Sequence, residues 1–137
     1  MSLVLDNSST MAWIFLDETT DAIELLFSQV ERGGAVVPAL WEIEVANVLQ
    51  MAVRGKKQTA QFRDRALAAL AVLPIDVEMS RTDRVWGDSL HLAERHGLTV
   101  YDATYLEVAI RRRLPLATLD NDLRRAAGSE GIVLLGL

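Results

Sequence analysis

The sequence predicts an α/β fold in which a parallel sheet of short strands is covered by helices on both faces. Apolar runs of three to five residues, such as Leu3–Leu5 and Ala35–Val37, recur along the chain. Segments with helical spacing of apolar residues lie between these runs, and glycines or capping residues mark their ends. The runs are apolar at successive positions rather than alternating, so both faces of the sheet are expected to be buried.

The first half of the chain alternates between these two kinds of segment. The predicted elements are a strand at 3–5, a capped helix after the polar residues 7–10, a helix at 18–32, a strand at 35–37 and a helix from 38 to about 54. Gly33 and Gly34 end the second helix, because glycine readily adopts the conformations that terminate one. Pro38 is placed in the first turn of the third helix, where its missing N–H costs nothing.

The second half continues in the same way. The predicted elements are a helix from 59 to about 73, a strand at 75–77, a helix from 80 to 96, a helix at 101–113, a strand at 114–118, a helix at 119–127 and a strand at 132–135. Thr59 and Ser80 are the expected N-caps of their helices. The helices on either side of residues 54–57 form a hairpin that is expected to protrude, and its connection carries both lysines of the chain.

Composition limits the class of protein. A chain of 137 residues predicts a single domain spanning 1–137. The absence of cysteine excludes disulfides and thiolate zinc sites. Fourteen basic and 19 acidic residues give a net charge of −5, so a nucleic acid would need a local basic patch. The chain contains neither a run of the ~18 apolar residues that span a membrane nor a secretory signal pattern, and we expect a cytoplasmic protein.

Acidic residues follow the predicted strands or lie on the helices beside them. Asp6 closes the first strand, Asp120 and Asp122 follow the strand at 114–118, and Asp102 opens a helix. Glu44 lies in an otherwise apolar part of its helix. Ligands in open α/β sheets bind beyond the carboxyl ends of the strands. Carboxylates gathered there would repel one another unless a hard divalent cation such as Mg²⁺ or Mn²⁺ bound between them.

Each acid also has a structural interpretation. Asp6, Asp102 and Asp120 precede helices, where Asp commonly caps the first turn. Glu42 lies in a first turn, where the helix dipole stabilises a carboxylate.

Two acids remain ambiguous from spacing alone. Glu44 has Asn47 three residues further on, which could hold its carboxylate in place. Asp122 is either a metal-positioning or water-positioning group beside Asp120 or a first-turn helix acid.

Four dispersed segments of the chain resemble the signature segments of PIN-domain nucleases. They are residues 3–9, 38–49, 98–103 and 117–120. They occur in the family's order and spacing over almost the whole chain, and the most similar subgroup is the VapC-type toxins of bacterial toxin–antitoxin pairs.

The resemblance assigns roles to particular residues. Carried over position by position, the family's acidic quartet corresponds to Asp6, Glu44, Asp102 and Asp120. Ser8 and Thr118 correspond to polar residues that support these acids. Asn7 occupies a place where such proteins often have a small residue, which is a mild departure from the pattern.

The resemblance also implies an activity. It implies a three-layer PIN fold and a Mg²⁺-dependent or Mn²⁺-dependent endoribonuclease that hydrolyses phosphodiester bonds with water activated by the cation. Asp6, Asp102 and Asp120 would be the main metal ligands, and Glu44 would bind or orient the attacking water. A homodimer and a cognate antitoxin that silences the enzyme are implied as well. RNA, rather than DNA, comes from the resemblance alone.

Basic clusters are the candidate RNA contacts. The densest are formed by Arg111, Arg112, Arg113, Arg124 and Arg125, and residues 54–57 carry the next. Phosphate contacts by such side chains would make RNA affinity depend on salt. Arginines near the end of a helix also complement its dipole, so each cluster has a structural interpretation.

Two other classes of function compete with a nuclease. An aspartate-based phosphotransfer domain would also have acids at strand ends, but it needs a lysine at a later strand end, and Lys56 and Lys57 lie in the hairpin. A non-catalytic module would keep the fold and use the hairpin for partner contacts. The presence of all four acids argues against that alternative.

Overall fold

The structure is a computed structural model and describes residues 2–137. The strands are β1 (Leu3–Leu5), β2 (Ala35–Pro38), β3 (Ile75–Glu78), β4 (Leu116–Ala117) and β5 (Leu134–Leu135). The helices are α1 (Asn7–Ile14), α2 (Asp21–Gly33), α3 (Leu40–Arg54), α4 (Ala60–Ala71), α5 (Thr82–Arg84), α6 (Leu90–His96), α7 (Val100–Arg112) and α8 (Asn121–Ser129). A 3₁₀ turn (Leu16–Glu18) follows α1, and a π-helical turn (Val85–Ser89) joins α5 to α6.

The strands form one parallel sheet in the order β3-β2-β1-β4-β5. The chain moves outward from β1 to β3 and then crosses back to β4. Because parallel crossovers are right-handed, this reversal puts α1 to α4 on one face and α5 to α8 on the other. The predicted three-layer α/β/α fold with a short-stranded parallel sheet is therefore confirmed.

The order of the strands reverses between β1 and β4, which are hydrogen-bonded neighbours. The connections leaving these two strands run in opposite directions, and this separates them at the carboxyl edge of the sheet. Asp6 follows β1 at this point, and residues 118–120 follow β4. The fold thus creates a crevice where two of the predicted acids leave the sheet.

The central strands lie in the core of the protein, which explains why they are wholly apolar. All three residues of β1 are at most 2% exposed, because helices cover both faces of this strand. The helical hairpin of α3 and α4 is present as predicted. Leu70 is the fully buried residue of α4, so most of this helix faces water.

Two predicted boundaries in the first half are wrong. Pro38 ends β2 instead of opening a helix, and α3 begins at Leu40. The proline is tolerated there because β1 pairs only with Ala35 and Val36, so no neighbour on that side needs its missing N–H. The polar residues expected to precede α1 form its first turn, since Asp6 is the N-cap.

The second half shows similar shifts. The helix predicted from Ser80 begins at Thr82 and is interrupted by the π-helical turn. The helix predicted at 119–127 begins at Asn121, because Asp120 caps it. The last two strands are two residues long, shorter than their apolar runs.

Within residues 2–137, no helix combines the length and the apolar character needed to cross a membrane.

Candidate metal centre

Asp6 is a buried carboxylate held by donors from both sides of the crevice. It is 5% exposed. The N–H of Ser8 donates to Oδ1 at 2.9 Å, and the hydroxyls of Ser8 and Thr118 donate to Oδ2. Burial raises the pKa of Asp6, and these hydrogen bonds oppose the rise. Asp6 therefore caps α1, as its structural interpretation predicted, and at the same time presents a charge at the crevice.

Ser8 and Thr118 connect the ends of β1 and β4. Each hydroxyl donates to Asp6 and also accepts a backbone N–H from the turn after β4. Leu119 N–H donates to Ser8 Oγ at 2.9 Å, and Asp120 N–H donates to Thr118 Oγ1 at 3.1 Å. The two hydroxyls thus fix the position of residues 118–120 relative to Asp6.

Asp120 caps α8 by accepting the N–H of Leu123 on Oδ1 at 2.8 Å. Asp120 therefore caps the helix, as its structural interpretation predicted, and it still lies close to the other acids. Its charge contributes to the raised pKa of Asp6 and to that of Asp102. The same side chain ends the loop and adds a negative charge to the crevice.

Asp102 does not cap its helix. Thr99 is the N-cap of α7 and accepts the N–H of Asp102 at 3.1 Å, which places Asp102 in the first turn. The pKa of Asp102 is raised to about 6, first by burial and then by the charges of Asp120, Asp6 and Glu44. The structural interpretation of Asp102 was wrong because it placed the N-cap three residues too late.

Glu44 is positioned by a residue that sequence reasoning missed. Asn47, the predicted support, is exposed. Instead the hydroxyl of Tyr105 donates to Glu44 Oε1 at 2.5 Å, and Tyr105 is 1% exposed. This bond joins α3 and α7, which belong to opposite layers. The signal in the sequence was that Tyr105 follows Asp102 by three residues and so shares its helix face.

We call Asp6, Glu44, Asp102 and Asp120 the acidic edge. No member forms an ion pair with Lys, Arg or His anywhere in the described chain. Burial raises the pKa of Glu44 as it does that of Asp6, and the charge of Asp6 adds to this effect. Four different elements thus place these carboxylates at the carboxyl edge of the sheet, and none of the four is paired with a cationic side chain of the described chain.

The donor set fits a hard divalent cation. All its ligands are carboxylate oxygens, which Mg²⁺ and Mn²⁺ prefer. The side-chain oxygen of Asn7, directly after Asp6, is buried without a hydrogen-bond donor. Within 2–137, no group of three Asp, Glu or His side chains is placed closely enough to hold a metal ion. A cation bound here would have to draw the carboxylates together.

Most of the predicted RNA-binding arginines are engaged elsewhere. Arg111 bonds both Glu78 and Glu107, and Arg112 bonds Glu78 at 2.9 Å. We call these four residues the ion-pair cluster. Arg113 ends α7 with a positive φ of 55° and is exposed. All three arginines lie at the end of α7 that is remote from Asp102.

The second predicted pair, Arg124 and Arg125, is also occupied. Arg124 donates to the carbonyls of Thr118 and Leu135 at 2.6 and 3.1 Å, so it stabilises the ends of β4 and β5. Arg125 pairs with Asp122 at 3.6 Å. The Asp122 side chain is 74% exposed, which favours its interpretation as a first-turn helix acid over a metal-positioning role.

Three solved structures share the fold of this chain. PAE2754 from Pyrobaculum aerophilum superposes with a TM-score of 0.69 at 21% identity, covering 98% of this chain and 89% of that one. VapBC2 from Rickettsia felis, bound to a DNA fragment from its promoter, gives 0.68 at 13% identity over 98% and 97%. A toxin–antitoxin complex from Klebsiella pneumoniae gives 0.64 at 20% identity over 96% and 95%.

At the level of sequence, no curated protein matches the chain significantly. The profile of the PIN domain, however, matches residues 3–129. That span includes every strand except β5 and all four acids of the acidic edge. The agreement between this match and the crevice geometry answers the question of family: the chain belongs to the PIN-domain family.

Proposed function

We propose that this protein is a Mg²⁺-dependent or Mn²⁺-dependent endoribonuclease that acts as the toxin of a toxin–antitoxin pair. The observation that carries the proposal is the acidic edge, in which four carboxylates share a crevice without a cationic partner among residues 2–137. Membership of the PIN-domain family supports a nuclease. The Rickettsia and Klebsiella structures of the same fold contain toxins with their antitoxins, which supports the proposed biological role.

Asp6, Asp102 and Asp120 would hold the cation. When bound, a divalent cation stabilises the charge that develops on the phosphodiester and lowers the pKa of water. Asp6 is immobilised by three hydrogen bonds, so it is suited to fix the position of a ligand. The remaining oxygens of Asp102 and Asp120 face no competing ion pair.

Glu44 would orient the attacking water and accept its proton. Tyr105 occupies Oε1, which leaves Oε2 as the acceptor. Burial raises the pKa of Glu44, and this makes its carboxylate a better base than a free glutamate. Attack in line with the leaving oxygen would then cleave the RNA strand.

Two protein partners belong to this proposal. A cognate antitoxin would silence the enzyme by inserting a basic segment, because an arginine fork matches carboxylates in two-point contact. A second copy of the chain would complete a homodimer. Co-purification with a small protein that suppresses cleavage is the expected result for the antitoxin.

The decisive experiment compares Asp102→Asn with Glu42→Gln. Asp102→Asn removes a proposed metal ligand and should lower RNA cleavage more than about 100-fold, beyond the range seen for residues that only support ligands. Glu42→Gln removes an exposed acid from the same helix as Glu44 and should leave cleavage nearly unchanged. Chelation of the cation should abolish wild-type cleavage, and added Mn²⁺ should restore it.

Other outcomes identify the alternatives. Absence of cleavage of total cellular RNA by the wild type, with or without Mn²⁺, would favour a non-catalytic interaction module. A phosphorylated Asp6 after incubation with a phosphodonor would favour phosphotransfer. Harmless overexpression of an active nuclease would contradict the toxin role.

A further inference from the structure

An RNA phosphate that approaches the acidic edge meets a region of negative potential, so the protein needs cations nearby. This inference rests on the proposed nuclease function. Six arginines already form ion pairs with carboxylates: Arg63, Arg81, Arg95, Arg111, Arg112 and Arg125. Arg124 is bonded to backbone carbonyls. Half of the 14 basic residues are therefore already committed.

Most of the remaining cations lie far from the acidic edge. Arg32 lines a cavity with Leu3 and Pro115, at the opposite edge of the sheet. Arg54 and the two lysines follow Glu44 by ten or more residues, about 15 Å along a helix. Arg113 is similarly distant from Asp102, at the other end of α7.

When these distant residues are set aside, two arginines without an ion pair or side-chain hydrogen bond within residues 2–137 remain, and they differ in position. Arg65 lines an apolar groove with Trp13 and Phe62, between α1 and α4. Arg84 lines a groove at the carboxyl edge of the sheet. Arg84 is half-buried, and among residues 2–137 its side chain has no carboxylate or hydrogen-bond partner.

The Arg84 groove has a volume of about 80 Å³ and is walled in part by α3 and α7, two of the four elements that carry the acidic edge. Leu40 contributes from α3, one turn before Glu44. Thr104 contributes from α7, two residues after Asp102, and so lies on a different face of that helix. Ser80 forms part of the outer wall.

The charge of this groove is favourable for a phosphate. Glu78 and Glu107 also line it, but Arg111 bonds both and Arg112 bonds Glu78. Arg81 is paired with the exposed Asp83 through two hydrogen bonds. These pairs neutralise the carboxylates of the groove, so Arg84 supplies its uncompensated positive charge.

We propose that Arg84 binds a backbone phosphate of the RNA strand, one that neighbours the phosphodiester cleaved at the acidic edge. The guanidinium offers several donors in a planar fork that matches phosphate oxygens. The groove thereby sets the path of the strand along α3, past Leu40 toward Glu44, which is four residues further on and on the same helix face. Arg84 acts by binding and aligning the substrate, and it takes no part in the transfer of protons.

The test measures binding of a fluorescent single-stranded RNA to the full-length Asp102→Asn protein, which should bind without cleaving, over a series of NaCl concentrations. Adding Arg84→Gln should lower the affinity about tenfold and reduce the slope of log K against log salt by about 0.7, as expected for one lost phosphate contact to a single strand. Adding Arg84→Lys should preserve the slope. Arg32→Gln, which removes the same charge from an exposed arginine at the opposite edge of the sheet, should leave the slope unchanged.

Equal effects of Arg84→Gln and Arg32→Gln on the slope would overturn the assignment of Arg84, while cleavage by the wild type would keep the proposed function intact. The assignment also fails if Arg84→Gln weakens a protein partner and leaves RNA affinity unaltered. If the wild type neither binds nor cleaves RNA, the proposed function fails, and the inference fails with it. Thermal melting of each variant establishes that the compared proteins are folded.

Discussion

The two ends of α7 carry acidic side chains under opposite conditions. At its beginning, Asp102 belongs to the acidic edge, where no basic side chain pairs with a carboxylate and its pKa is raised to about 6. At its end, Glu107 belongs to the ion-pair cluster, where Arg111 and Arg112 hold the pKa of Glu78 below its usual value.

The difference separates two uses of the same residue type. The ion-pair cluster is complete within the chain, because each buried carboxylate has an arginine partner. The acidic edge is electrostatically incomplete, since within residues 2–137 only hydroxyl and backbone donors reach its carboxylates. A cation from outside the chain should therefore change the acidic edge and leave the ion-pair cluster unaffected.

The largest expected effect is stabilisation by metal. Saturating Mn²⁺ should raise the free energy of unfolding of the wild type, by about 2.7 kcal/mol at 100 times Kd. Asp120→Asn should lose most of this gain, yet melt at the same or a higher temperature in EDTA, since it removes one repelling charge and Asn still caps α8. Melting curves of both proteins in EDTA and in Mn²⁺ measure the effect. Equal metal-induced shifts would remove Asp120 from the metal centre.

Breaking the ion-pair cluster should affect stability without affecting metal. Arg111→Ala leaves Glu107, which is 5% exposed, without its charged donor and should lower the free energy of unfolding by about 2 kcal/mol. Urea unfolding checks this value, with Arg113→Ala as the matched control. The loss should be the same in EDTA and in Mn²⁺. A loss that Mn²⁺ reverses would mean that the two ends of α7 are coupled.

Tyr105 tests how the acidic edge positions its carboxylates. Tyr105→Phe removes the hydroxyl from Glu44 and should lower kcat about tenfold with KM little changed, as for residues that orient a reacting group. The pH at which cleavage reaches half its maximum should also shift, which a purely structural role would not produce. Tyr101→Phe on the same helix is the control, because Tyr101 is exposed. An unchanged pH profile for Tyr105→Phe would contradict this positioning role.

The smallest expected effect is on how the free energy of unfolding of the metal-free protein depends on pH. The folded pKa of Asp102, about 6, lies above its ordinary value of 3.8, so the folded state binds more protons than the unfolded state between these values. The contribution of Asp102 to stability is therefore lost as pH rises from about 4 to 6. Half-exposure to water keeps this change small.

Glu78 should show the opposite sign. The pKa of Glu78 is lower in the folded state than in the unfolded state. Its contribution to stability is therefore present at a pH above the unfolded pKa and is lost as the pH falls through the folded pKa. Urea unfolding in EDTA at a series of pH values, with Asp102→Asn alongside, separates the two effects. A wild-type profile between pH 4 and 6 that coincides with that of Asp102→Asn would refute the contribution of Asp102.

The sequence by itself determined the class of fold and the location of the acids. Apolar runs such as Leu3–Leu5 specify buried strands through local composition, and a cap such as Asp120 starts a helix through contacts within one turn. Such signals involve neighbouring residues, so they can be interpreted without knowing the rest of the structure. Asp6 and Asp120 could be placed at one edge of the sheet from the sequence because acids that follow parallel strands emerge at the same edge.

Only the tertiary structure decided which side chains meet across layers. Tyr105 and Glu44 are 61 residues apart, and Thr118 and Asp6 are 112 apart, so their hydrogen bonds depend on the order of the strands and on the packing of α3 and α7. The same holds for Arg111 and Glu78, whose ion pair gives a predicted RNA contact a partner within the chain. Local sequence fixes the direction and period of each element, but the partners of its polar groups are set by the elements packed against it.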